Sequence, residues 1–248
     1  SRSPQIRRFR SVSIIKLLTN MLNIGGFVSG LTALRFGLEG RCAGVIVLIT
    51  VAAVFDALDG RTARRFKTQS AFGAALDSLS DLVVFGVVPA LCLFTWALQD
   101  SGNIAWVATL FFAVSIALRL ARFDSELPNP ADYAANYFTG IPAPAAGFLV
   151  LMPIVIDLEF GLEVVRQASY VSIWLVLIGA GAVSALPSFA GKKLKLPVNT
   201  VLPVLALVGL LGAAIVTEPW LTYLAVVTVY IVSLPIAAIR FTREKSAQ

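Results

Sequence analysis

Apolar runs of about 20 residues recur along this chain, each the length a helix needs to cross the hydrocarbon of a bilayer, whereas barrel strands would alternate over about 10. The runs fall at roughly 17 to 37, 42 to 63, 73 to 98, 104 to 122, 140 to 158, 170 to 187, 198 to 216 and 220 to 241. The expected fold is therefore all-α, a polytopic integral membrane helical bundle of about eight transmembrane helices. With 58% apolar residues, 14% charged residues and a mean hydropathy of +0.84, a soluble domain is excluded. Residues 17–248 read as a single transmembrane domain. Residues 1–16, with IRRFRSVSII, read as a basic amphipathic juxtamembrane segment suited to the anionic inner leaflet.

Charge placement orients the bundle. With the N-terminus in the cytoplasm, only Arg35, Arg41 and Arg166 fall outside, leaving 17 of the 20 Lys and Arg on the inner side. The asymmetry selects both termini as cytoplasmic, which requires an even number of spans, and eight satisfies it. The formal net charge of +6 thus marks topology, and no nucleic-acid partner is expected. The expected location is a bacterial inner (cytoplasmic) membrane, with the loop from Arg61 to Ser70 at its cytoplasmic face.

Against this apolar background stand four aspartates, Asp56, Asp59, Asp77 and Asp81, within FDALDGRTARRFKTQSAFGAALDSLSDLVVFG. Each costs about 2.5 to 3.5 kcal/mol at membrane depth unless neutralised. Asp56 and Asp59 are three apart and Asp77 and Asp81 four apart, so each pair projects from one helix face and two facing pairs form an acidic box. The chain has no histidine, and no lysine is interleaved between the carboxylates of either pair. One or two divalent cations with hard oxygen ligands, Mg or Mn, are the expected partners. The absence of histidine also excludes a Ser-His-Asp mechanism, so a general base must be a carboxylate. Cys42 and Cys92, isolated in apolar sequence, are expected neither to bind metal nor to form a disulfide framework.

The pattern D-x2-D-G-x2-A-R-x8-G-x3-D-x3-D resembles the signature of the CDP-alcohol phosphotransferase family, with Asp56, Asp59, Gly60, Ala63, Arg64, Gly73, Asp77 and Asp81 at its fixed positions. Members are integral membrane enzymes that move a phosphatidyl group from a CDP-linked lipid to an alcohol with loss of CMP. The resemblance implies a catalytic domain with its motif helices within 42–98, two divalent ions and a homodimer. It makes Asp56, Asp59 and Asp77 chiefly metal ligands, and Asp81 both a metal ligand and the catalytic base. Asp56, Gly60, Ala63, Arg64 and Gly73 would bind the CDP-lipid. Thr19, Asn20 and Asn23 at the head of the first span either cap and bond helices or edge the nucleotide pocket, Asn20 and Asn23 then binding the CDP-lipid. Gly26 and Gly30 read as close helix packing.

The fourth span ends in ALRLARF, where Arg119 and Arg122 are three apart. Two readings stand, snorkelling anchors and anion recognition by guanidinium forks. A long polar connection follows, and LRLARF with the closing YFTGIPAPAA resembles the phosphatidylserine synthase branch of the family. On that likeness the substrates are CDP-diacylglycerol and L-serine, with Arg119 and Arg122 binding the acceptor and the loop from Phe123 to Thr139 closing over it. Glycerol 3-phosphate, an inositol phosphate or choline remain alternative acceptors. A cation-coupled transporter would also hold intramembrane carboxylates, but it gives no reason for Gly60, Ala63, Arg64 and Gly73. The likeness covers about residues 10 to 150 and beyond that is one of hydropathy. Pro142, Pro144, Pro153, Pro203 and Pro235 are expected to bend their spans, and the basic SFAGKKLKLP loop reads as a topology signal.

Overall fold

The computed structural model describes residues 14–66, 71–125, 137–184, 187–189 and 201–246. Each expected apolar run is helical over most of its described residues. In chain order the helices are α1 (Ile14–Leu38), α2 (Cys42–Phe66), α3 (71–98), α4 (Gly102–Ser125), α5 (Ala143–Val150), α6 (Met152–Phe160), α7 (Ala168–Val183), α8 (Val201–Thr217) and α9 (Pro219–Ser246). Among the described residues six stretches are long and apolar enough to cross a membrane: Thr19–Leu38, Cys42–Arg61, Phe72–Leu98, Gly102–Arg122, Ala143–Phe160 and Pro219–Arg240. The protein is an integral membrane protein. α7 and α8 are shorter, at 16 and 17 residues.

The helices depart from the expected spans where local chemistry intervenes. The run at 140–158 is broken at Leu151 into α5 and α6, because Pro153 in the first turn of α6 has no N–H to continue the ladder. Pro235, by contrast, lies inside an uninterrupted α9. α3 is α-helical over Ala71–Asp81 and Val88–Leu93 but widens to π-helix over Leu82–Val87 and Phe94–Leu98. α7 stops at Val183, short of the expected 187, and Pro187–Phe189 (β2) pairs antiparallel with Tyr137–Thr139 (β1), Phe138 facing Ser188. This two-stranded ribbon qualifies the all-α expectation. Gly140 follows it at φ +77°, where a Cβ would collide with the carbonyl of Ala182. α4 runs through Ser125, so Phe123 and Asp124 are helical and not loop. Residues 1–13, most of the expected juxtamembrane segment, lie outside the described residues, as do 126–136 and the basic loop at 190–200.

α1 packs along α2 and along the length of α3, α4 along α7, α5 against the first π stretch, and α9 against α6 and β2. Ile49, Phe85, Leu93, Phe112, Ile116 and Leu175 are fully enclosed, while Val28, Val47, Val107, Leu210 and Val229 are exposed, as befits apolar side chains that face lipid. Close helix approach is built on glycine, as expected for α1. A Cβ at Gly30 would lie 2.5 Å from Val84 Cγ2, and one at Gly147 3.1 Å from the Phe85 backbone. Arg35 and Arg41 both pair with Glu39, at 2.8 and 3.5 Å, where α1 turns into α2. The Arg35 hydrogen bond holds the Glu39 carboxyl below the usual carboxylate range. Arg166 donates to the carbonyl of Trp96 near the end of α3, and Cys42 and Cys92 are both free.

Candidate active site

The acidic box forms at the other end of the same helices. Asp56 and Asp59 lie one turn apart on α2, Asp77 and Asp81 one turn apart on the first half of α3, and the two faces meet. Carboxylate oxygens of Asp56, Asp59 and Asp77 all lie within 4.8 Å of one another. They line a small, partly open cavity together with Asp81, with Asn23 and Gly26 of α1, and with the apolar Val84 and Phe85. Asp59 is only 4% exposed. Asp81 shares the cavity without joining the close trio of oxygens, and the charges of Asp56, Asp77 and Asp59 all act on it, with Arg119 the opposing cation.

Three ionised carboxylates this close repel one another strongly unless a cation lies among them. At an effective dielectric of about 20, two like charges 4.8 Å apart repel by about 3.5 kcal/mol. The donor set consists of hard oxygens, which suits Mg or Mn. A further observation fits a cation: Asn23 Nδ2 donates to Asp77 Oδ1 at 3.1 Å, and Asn23 Oδ1 is buried with no hydrogen-bond partner among the described residues. The residues present therefore fit a divalent ion.

The remaining expected residues are distributed unevenly. Asn20 is half-buried on α1, three residues before Asn23. Gly60 and Gly73 are half-buried on the α2 and α3 sides of the connection. Ala63 and Arg64 continue α2, but their side chains lie outside the described set. The two arginines of α4 separate: Arg122 is exposed, whereas Arg119 is half-buried, with Nε shielded and lacking a hydrogen-bond partner among the described residues. The Arg119 charge acts on Asp81 and on Tyr230 of α9. Residues 126–136, most of the loop expected to close over the acceptor, lie outside the described residues.

Two residues at the site escaped the sequence reading. Ser80 is 7% exposed and lines the cavity between Asp77 and Asp81. Its spacing of three from Asp77 was the available signal. Tyr230 carries no such signal, being one aromatic among many in an apolar run.

A bundle of membrane-spanning helices with a carboxylate-lined cavity between three of them, and an arginine on a fourth whose charge acts on Asp81, defines a class of membrane enzyme suited to a charged substrate group. Residues 16–180 match the family described as CDP-alcohol phosphatidyltransferase, and residues 199–235 match the one described as CDP-alcohol phosphatidyltransferase 2. The CDP-diacylglycerol–serine O-phosphatidyltransferase of Mycobacterium tuberculosis is 33% identical over 226 residues, covering 90% of this chain and 78% of the relative. The Mycobacterium leprae protein of the same name is 32% identical over 232 residues, covering 93% and 77%. That of Helicobacter pylori is 30% identical over 187 residues, covering 74% and 76%. The chain belongs to the CDP-alcohol phosphatidyltransferase family. The match at 199–235 carries the likeness past residue 150, beyond hydropathy alone, and family membership sets the transporter reading aside.

Proposed function

We propose that this enzyme transfers the phosphatidyl group of CDP-diacylglycerol to the hydroxyl of L-serine, giving phosphatidylserine and CMP. The observation that carries the chemistry is the division of the box into a close trio, Asp56, Asp59 and Asp77, and a separate Asp81 in the same cavity. The acceptor is supported by relatives named for serine that align over most of the chain.

In this reading Asp56, Asp59 and Asp77, with Asp81 at the margin, hold one or two divalent ions, Mg or Mn. When bound, the metal neutralises the diphosphate and stabilises the charge that develops on the departing CMP. Asp81 takes the proton from the serine hydroxyl as its oxygen attacks the phosphorus that bears the diacylglycerol. The bond from that phosphorus to the bridging oxygen breaks, and CMP leaves with the electron pair. Asn20, Asn23, Asp56, Gly60, Ala63, Arg64 and Gly73 bind the CDP-lipid, the small residues admitting the nucleotide to the helix backbone and Arg64 meeting phosphate. Arg119 binds the serine carboxylate as a bidentate fork. Its burial and its electrostatic reach to Asp81 favour it over the exposed Arg122.

Residues 17–248 act as one catalytic domain of eight spans with both termini cytoplasmic, and residues 1–16 lie along the inner leaflet. The active site opens to the cytoplasm of a bacterial inner membrane, the acyl chains staying in lipid, and the enzyme works as a homodimer. The test of the acceptor is competition. Purified protein supplied with CDP-diacylglycerol and an equimolar mixture of serine, glycerol 3-phosphate, inositol phosphate and choline is expected to form phosphatidylserine, and a different dominant lipid would reassign the acceptor.

A further inference from the structure

Asn23 approaches the aspartates from α1, and elementary hydrogen-bond chemistry orients its amide. An ionised carboxylate accepts hydrogen bonds and cannot donate them. Of the two ends of the amide, only Nδ2 can therefore face Asp77 Oδ1, as it does at 3.1 Å. That bond turns Oδ1 the other way, and the carbonyl oxygen is left buried, without a hydrogen-bond partner among the described residues, in a side chain only 7% exposed. A buried carbonyl is normally satisfied. Its charged neighbours on the cavity wall, Asp56, Asp59, Asp77 and Asp81, are acceptors and cannot satisfy it. A hard divalent cation can satisfy an amide oxygen and carboxylate oxygens together, and asparagine carbonyls are ordinary ligands of such ions.

The fold of α1 serves the same end. Asn23, Gly26 and Gly30 lie at helical spacing on one face. Gly26 lines the cavity, and at Gly30 a Cβ would run into Val84, so the glycines let α1 come close enough for Asn23 to reach the box. We propose that Asn23 is itself a ligand, its Oδ1 coordinating the divalent ion of the Asp56, Asp59 and Asp77 cluster while its Nδ2 fixes Asp77 in the ligating orientation. A neutral oxygen from α1 extends the coordination without adding to three negative charges, and it ties the first helix to the motif helices through the metal. This assignment rests on the metal reading of the active site given above.

The test is Mn²⁺ binding by the purified full chain, stripped with chelator and followed by titration calorimetry and thermal unfolding, with no turnover involved. Asn23→Ala is expected to weaken Mn²⁺ binding by about 10-fold or more. Because loss of orientation alone would do the same, Asn23→Asp separates the two roles. Aspartate offers an oxygen to the metal but cannot donate to Asp77. A ligand role predicts Mn²⁺ affinity for Asn23→Asp at or above wild type, together with a lower metal-free Tm from its repulsion with Asp77. A merely orienting role predicts that Asn23→Asp binds as weakly as Asn23→Ala, which overturns the assignment. It is equally overturned if Asn23→Ala, folded by its metal-free unfolding transition, binds Mn²⁺ like wild type and loses only CDP affinity. If wild type itself binds no Mn²⁺, the metal reading of the whole site falls first.

Discussion

Asp59→Asn offers the sharpest energetic probe of the acidic box, because it should move the metal-free and metal-bound forms in opposite directions. Asp59 is 4% exposed and shares the close oxygen cluster with Asp56 and Asp77, all within 4.8 Å. Each like-charged pair at that distance repels by about 3.5 kcal/mol at an effective dielectric of about 20, giving a ceiling of about 7 kcal/mol for the two pairs that Asp59 makes. After relaxation and water penetration, about 1 to 2 kcal/mol of relief is expected to remain, raising the metal-free Tm by about 2 to 8 °C. The amide keeps the shape of the side chain, so no cavity opens to offset this gain. With Mn²⁺ at about 100 times its Kd, wild type should gain about 2.7 kcal/mol, or about 5 to 11 °C, and the variant should lose most of that increment. Thermal unfolding in detergent, with chelator and with excess Mn²⁺, reads both numbers. A variant that melts below wild type in chelator and keeps the full Mn²⁺ increment would refute the electrostatic argument for the box.

Two further substitutions divide the labour within the site. Asp81→Asn retains one oxygen but cannot accept the serine proton, so kcat should fall at least ~100-fold while CDP-diacylglycerol binding survives in part, as steady-state and binding measurements would report. Near-normal turnover would remove Asp81 from the role of base. Arg119→Lys keeps the charge but loses the bidentate fork, and it should raise the serine KM without changing CDP-diacylglycerol affinity, whereas the exposed Arg122→Lys should leave both unchanged. Equal serine kinetics in the two variants would place the acceptor pocket elsewhere.

The acidic box was readable in advance because intramembrane carboxylates are costly, and because spacings of three and four fix which residues share a helix face. Gly26 and Gly30 were readable for a related reason, since small residues four apart imply close approach. What spacing does not set is the rotation of one helix against the next. The bond from Asn23 to Asp77 joins residues 54 apart in sequence and depends on that rotation. So does the contrast between Arg119 and Arg122, which share a face in a helical projection yet end half-buried and exposed. The π stretch at Leu82–Val87 was invisible to a fixed period of 3.6, although it directly follows Asp81 and shifts the face presented by Val84 and Phe85. The break at Leu151 could be anticipated from Pro153, but Pro235 inside an unbroken α9 shows that proline alone does not decide. The ribbon of Tyr137–Thr139 and Pro187–Phe189 is too short, and too far apart in sequence, to leave a pattern.

The central claim is that the aspartate cavity carries out phosphatidyl transfer to serine with a divalent ion bound. Its most direct test is incorporation of radiolabelled serine into lipid by the purified chain in CDP-diacylglycerol micelles, with CMP release followed in parallel. Activity should vanish in excess chelator, return on addition of Mg²⁺ or Mn²⁺, and yield one CMP for each labelled lipid. Full turnover in excess chelator, or CMP release with no labelled lipid when metal is present, would contradict it.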